Sequence, residues 1–173
     1  ADNTPTLDWS DVVDVSGVRY DLQVATDNTF TTSVSSLQDL TNSVQTLSLN
    51  DGTYYWRVRA KDTLGNLGLY SAVFSFTIDT SPPPAPQLVT LSDNALTNDN
   101  TPTFDWTDVT DPAGVTYTLQ VASNAEFTSI ILNQAGLTTS TYTPSLSDAV
   151  LYWHVIAVDS LGNIGTPSGT RKL

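Results

Sequence analysis

The chain has no cysteine and no methionine, a single histidine, a single glutamate, and only six lysine and arginine residues among 173. Without cysteine, neither a disulfide framework nor a thiolate metal site can form. The six cations are scattered, so the clustered positive charge that neutralises phosphates is missing and nucleic acid is excluded as a partner. A formal charge of −12 also repels anionic lipid. No apolar run approaches the ~20 residues of a membrane span, so this segment is not expected to insert into a bilayer. The catalytic inventory is equally thin. His154 has no second histidine at zinc spacing, no glycine loop has the phosphate-cradling pattern, and in Gly165–Gly169 the serine falls one place too late for a nucleophile elbow. Paired carboxylates would suit a glycosidase, but no insertion in the chain is long enough to build a cleft around them. The expectation is a protein that is not an enzyme and has no certain cofactor.

What is present is a repeat. Adding 97 to a residue number in the first half returns the same kind of residue: Asn3-Thr4-Pro5-Thr6-Leu7-Asp8-Trp9 becomes Asn100-Thr101-Pro102-Thr103-Phe104-Asp105-Trp106. Tyr20–Ala25 returns as Tyr117–Ala122, and Asp62-Thr63-Leu64-Gly65-Asn66 as Asp159-Ser160-Leu161-Gly162-Asn163. A fixed period near ~100 residues is the size of one small β-sandwich. Strands show as period-two alternation. Tyr20, Leu22 and Val24 share a face, as do Tyr54, Trp56, Val58 and Ala60, and the second copy repeats both with Tyr117, Leu119, Val121 and with Leu151, Trp153, Val155, Ala157. No stretch has useful helical periodicity. The fold class is therefore all-β, with two tandem antiparallel β-sandwich domains.

Thr80–Pro86 carries four prolines, which cannot donate to a sheet ladder and prefer an extended path. The expected division is 1–79, a proline-rich linker 80–86, and 87–173. Nothing in the first copy matches the opening strand expected at 87–91, and the second copy stops before the counterpart of Thr77-Ile78-Asp79. Two expectations follow: a piece of a longer array, or a first domain that borrows a strand from a neighbour.

Several residues resemble those of fibronectin type III and related immunoglobulin-like repeats in arrays on bacterial and archaeal surface proteins. These are Trp9 and Trp106, Tyr20 and Tyr117, the run Tyr54-Tyr55-Trp56-Arg57-Val58-Arg59-Ala60, the Asp62–Asn66 turn, and Phe74–Asp79 followed by prolines. The resemblance implies the sandwich fold and a corner tyrosine at Tyr54, which the second copy lacks because it has Leu151 there. It implies no single function, since this architecture hosts many. In place of a disulfide, Trp9 is expected to meet Trp56, and Trp106 to meet Trp153, each aromatic burying ~150–250 Å².

Of eighteen acidic residues, seventeen are aspartate, the acid that closes turns and binds hard cations. The family topology sets Asp108, Asp111, Asp159 and Asn163 at the entry end of the second domain, and Asp51 and Asp79 at the exit end of the first. Calcium is the ion such oxygens would take at the joint; the competing account is that each aspartate closes its own turn. The outward face of the 151–157 run carries Tyr152, His154, Ile156 and Val158 where the first copy has Tyr55, Arg57, Arg59 and Lys61, which marks it as a candidate interface. Two functions follow. The first is a structural spacer of a large extracellular surface protein or filament, such as an adhesin stalk, cell-envelope or fibre component, whose partners are neighbouring repeats or other copies. The second is a carbohydrate- or protein-binding accessory module.

Overall fold

The computed structural model describes residues 2–173, which divide into two units, Asp2–Thr80 and Ser81–Leu173. The first contains β1 (Thr6–Asp8), β2 (Val18–Ala25), β3 (Ser35–Leu40), β4 (Val44–Thr46), β5 (Gly52–Asp62) and β6 (Phe74–Ile78). β1 pairs with β4, and a four-stranded sheet runs β3-β2-β5-β6. The second contains β7 (Phe104–Asp105), β8 (Val115–Ala122), β9 (Ile130–Leu137), β10 (Thr141–Tyr142), β11 (Tyr152–Asp159) and β12 (Arg171–Lys172). There β7 pairs with β10, and the larger sheet runs β12-β11-β8-β9. The central pairs keep one register: Ala25 opposes Tyr55 and Val18 opposes Asp62 in the first unit, as Ala122 opposes Tyr152 and Val115 opposes Asp159 in the second. All the described strands of both units pair antiparallel, as the alternation required.

In each unit the alternating apolar residues of the long strands meet those of the short sheet. Leu7 of β1 joins Tyr20, Leu22, Val24 and Val58 in the first core. Phe104, Trp106, Tyr117, Leu119, Val121, Leu151, Trp153, Val155 and Ala157 make the second. The cores are unequal, because Trp9, Tyr54, Trp56 and Ala60 only pack partly buried against the first, whereas Trp106, Leu151, Trp153 and Ala157 are fully enclosed. The indoles also pair differently from expectation. Trp9 and Trp56 do meet, with ring centroids 6.4 Å apart. Trp153, however, sets its edge against Phe104 at 4.9 Å and Trp106 against Tyr117 at 5.6 Å. Phe104 stands at the place of Leu7 and supplies the ring that Trp153 meets.

A set of polar bonds recurs at the offset. Tyr20 Oη accepts from the Val12 amide at 3.1 Å and Tyr117 Oη from the Val109 amide at 2.9 Å. Ser71 Oγ accepts from Val58 N at 3.2 Å and Ser168 Oγ from Val155 N at 3.0 Å. Thr6 and Thr46 join hydroxyls at 3.0 Å, and Thr103 and Thr143 at 2.9 Å. The corner tyrosine occurs only in the first unit, where Tyr54 Oη donates to the Asn50 carbonyl at 3.0 Å; Leu151 takes that place as a buried apolar residue.

The proline segment packs as part of the second unit. Pro83 and Pro86 are fully buried, and the Gly165 α-carbon lies so close beneath Pro83 that a Cβ there would stand 2.5 Å from the Pro83 carbonyl oxygen. The chain then runs along β7. Leu88 bridges Trp106, Val89 N donates to Asp105 O at 2.8 Å, and Thr107 N donates to Gln87 O at 2.8 Å. Arg171 secures this segment by donating to the carbonyls of Leu88 at 2.7 Å and Thr90 at 2.8 Å.

Candidate functional site

The acidic loops come first. At the end of β5, Asp62 Oδ1 accepts from Leu64 N at 3.0 Å and Asn66 N at 2.7 Å, while its Oδ2 accepts from Asn66 Nδ2 at 2.6 Å. At the end of β11, Asp159 receives the same three bonds, from Leu161 N at 2.8 Å, Asn163 N at 2.8 Å and Asn163 Nδ2 at 2.6 Å. Gly65 and Gly162 supply the left-handed residue, φ +93° and +86°, that the turn requires. Both carboxyls are held below the usual carboxylate range. For Asp62 the bond from the Asn66 side chain is the main cause, whereas for Asp159 burial pushes upward and the bonds from Asn163 outweigh it. The hairpin thus uses its own aspartate to satisfy its backbone amides.

The other acids of the calcium expectation are placed as follows. Asp111 closes its own turn, with Oδ1 accepting from Ala113 N at 2.9 Å. One of its carboxylate oxygens lies within 4.8 Å of one on Asp159. Asp108 is exposed on the loop after β7, and Asn163 is buried. In the first unit Asp51 and Asp79 flank the paired residues Gly52 and Ile78, at one end of the β5–β6 pair. Asp51 Oδ1 accepts from Thr80 Oγ1 at 2.9 Å.

The candidate interface on β11 is partly roofed. Phe127, in the left-handed region at φ 53°, stacks on His154 with ring centroids 3.7 Å apart. His154 Nε2 lies 2.8 Å from Gln120 Oε1, and burial lowers the imidazole pKa below its ordinary value. Tyr152, Ile156 and Val158 are half-buried. The first unit builds the same cover from other chemistry. Arg57 Nε donates to Gln23 Oε1 at 2.9 Å and its guanidinium lies 4.1 Å from the Phe30 ring centre and 4.2 Å from that of Tyr70. Arg59 pairs with Asp21, and Lys61 with Asp39. The cationic stripe is therefore engaged within its own sheet rather than offered to solvent as a row of free charges.

Sequence alone put all four tryptophans in cores and so missed a cleft in the first unit. Trp9, Tyr20, Trp56, Leu69, Tyr70 and Phe74 line it, with Asp8, Ser10 and Gly68 among others, around a volume of about 710 Å³. Phe74 stacks on Trp56 at 5.2 Å yet stays 54% exposed. The available signal was that Phe74 stands where the second copy has Arg171. A smaller cleft of about 270 Å³ in the second unit is lined by Asp99, Asp148 and Lys172 among others; Asp99 there is tied to Thr101 through its amide and hydroxyl, both at 2.8 Å.

No protein-family model matches the chain, and no curated protein matches it by sequence. Among solved structures, the fibronectin(III)-like modules of Clostridium thermocellum CbhA match with a TM-score of 0.50 and 17% identity, over 94% of this chain and 80% of that one. The FN1–FN3 domains of chicken CNTN1 match with a TM-score of 0.47 and 15% identity, over 100% of this chain and 62% of that one. By fold, the two units are fibronectin type III-like β-sandwiches.

Proposed function

We propose that the chain is a structural spacer, a pair of tandem β-sandwich repeats in a large extracellular surface protein or filament. One observation carries this: the interactions reproduced at the 97-residue offset are framework bonds, such as Asp62 and Asp159 closing their hairpins with the same three donors. The groups suited to chemistry or recognition, His154 in one copy and Arg57 and Arg59 in the other, are not reproduced. Repetition that preserves the scaffold and lets the faces drift is what stacking units require. Glycan and protein-ligand screening of the wild-type chain beside Ile156→Asp tests it. A spacer retains no ligand on either; ligand capture lost in Ile156→Asp would replace the spacer with a binding module using Tyr152, His154, Ile156 and Val158.

Calcium stiffening belongs to the same reading. Of the acids named, Asp111 and Asp159 already bring carboxylate oxygens within 4.8 Å inside one unit, and Asp159 Oδ2 spends one lone pair on Asn163 Nδ2 and has a second to offer. Asp108 and Asn163 of the same unit complete the oxygen-rich set proposed for the ion.

A further inference from the structure

In the larger sheet of the second unit β9 is an edge strand, and among the described residues no strand pairs with its free side. An edge offers a row of backbone amides and carbonyls to any incoming strand, and proteins blunt it with charge, proline or brevity. β9 has none of these guards. Ile130–Leu137 is eight residues long without proline or charge, and the whole stretch 127–147 holds no Asp, Glu, Lys, Arg or His. Ile130 and Ile131 are 41% and 52% exposed. The first unit guards the same edge: β3 is six residues long, and at its bulge Asp39, with φ 59°, pairs with Lys61. Their counterparts 97 residues on are Gly136, with φ 72°, and Val158, so the ion pair is gone while the backbone conformation stays. Beside β9 the sandwich is also notched. Ile131 and Leu132 line a cleft of about 200 Å³ with Leu146, Ala149 and Leu151. Leu151 stands at the place of Tyr54, whose longer side chain reaches the Asn50 carbonyl in the first unit.

We infer that β9 is a self-association edge, at which two copies of this chain pair β9 to β9, antiparallel about a two-fold axis. Charge selects a second copy as the occupant. Two chains of −12 repel each other on most approaches, and the uncharged stretch around β9 is where they meet with least repulsion. The same stretch gives a charged foreign partner nothing to recognise, whereas it is complementary to itself. Antiparallel pairing sets exposed isoleucines against isoleucines, and the Asn133 amide both donates and accepts. Ile131 is at once an exposed apolar side chain and a wall of the notch, so each copy brings both a knob and a hole. A two-fold pairing uses up both free edges and therefore stops at the dimer. The inference goes beyond the spacer reading and does not depend on it, since this edge pairs in the same way whether the repeats bear load or a ligand.

Sedimentation equilibrium of the whole chain at concentrations up to about 1 mM, in low and high salt, tests this, with backbone amide NMR shifts followed alongside. A monomer–dimer equilibrium is expected, with a Kd below about 1 mM for an interface smaller than the standard size. It should tighten as salt screens the −12 charge, and the concentration-dependent shifts should fall on β9 and not on β3. Ile131→Lys and Gly136→Asp each set like charges across the two-fold, so each should raise Kd by about tenfold or more. Both variants are expected to fold: Ile131 is half exposed, a Cβ at Gly136 meets nothing within 4 Å, and Asp39 already adopts the same backbone conformation. Val34→Lys, at the counterpart of Ile131 in the first unit, should leave Kd unchanged. A chain that stays monomeric at about 1 mM in high salt would overturn the inference. So would a dimer that tightens as salt falls, a dimer that Ile131→Lys and Gly136→Asp leave intact, or growth past the dimer into open-ended assemblies.

Discussion

Arg59 of β5 grips Asp21 of β2 across the sheet, Nη2 to Oδ2 at 3.0 Å and Nε to the same oxygen at 3.1 Å, with Asp21 only 4% exposed. The second unit has Ile156 opposite Thr118 at that register. One fold thus fills the same cross-strand position with an ion pair in one copy and an uncharged isoleucine and threonine in the other. Removing one member of a buried pair strands the other charge, while replacing both is often neutral. Arg59→Ile alone is expected to cost about 3–5 kcal/mol, and Arg59→Ile with Asp21→Thr to recover most of that. Urea unfolding of the two single variants and the double measures it; a double variant no better than Arg59→Ile would contradict the exchange.

Gly165 and Gly68 occupy the same position in the two units but under different roofs. Gly165→Ala drives a methyl into the carbonyls of Pro83 and Ala157, at 2.5 Å and 3.0 Å. Overpacking of this kind costs about 1–3 kcal/mol, and each kcal/mol lowers the melting midpoint of a domain this size by about 4–8 °C. Gly68→Ala meets only Ala60 O at 3.2 Å and should leave the first unit's midpoint within about 1 kcal/mol of wild type. Calorimetry on the two variants separates them, and equal losses would show that Pro83 does not constrain the position.

Acid should weaken the second unit before the first. Burial lowers the His154 pKa from 6.5, so the unfolded chain binds a proton that the folded chain resists. The stability from neutral His154 is complete above pH 6.5 and falls as pH drops through the folded value. The first unit has Arg57 there in place of an imidazole. Asp62 and Asp159, both depressed below 3.8, add losses in both units only at lower pH. Hydrogen exchange between pH 7 and pH 5 should show protection falling in β8 and β11 with β2 and β5 unchanged, and His154→Gln should abolish the difference.

Calcium binding predicts a higher thermal midpoint in millimolar calcium than in excess chelator at fixed ionic strength, because a ligand of the folded state alone must stabilise it. Asp111→Asn with Asp159→Asn removes both charges, so the calcium increment should vanish, while the chelator midpoint itself falls because an amide nitrogen in place of Asp159 Oδ2 cannot accept the bond from Asn163 Nδ2. An increment that survives the double change would place the ion elsewhere.

Alternation carried most of the fold. The runs Tyr20–Val24 and Tyr54–Ala60 became β2 and β5 with the expected faces inward, and the repeat carried that result to β8 and β11. Contacts across the sandwich were less accessible. Trp153 meets Phe104 rather than Trp106 because side-chain size at one position decides the packing, and a period of two is blind to size. The partners of Arg59 and Lys61, Asp21 and Asp39, become visible only once the register opposing Arg59 to Asp21 is known. The cleft at Trp9 and Trp56 follows from what packs over equivalent residues, which no local pattern in the first copy encodes.

Force-extension of the single chain tests most directly the proposal that these are autonomous repeats with a mechanical role. Two discrete unfolding events are predicted, each releasing about 30 nm of contour, one for Asp2–Thr80 and one for Ser81–Leu173. Extension with no discrete events, or with both units yielding at forces that merely straighten an unfolded chain, would contradict a spacer.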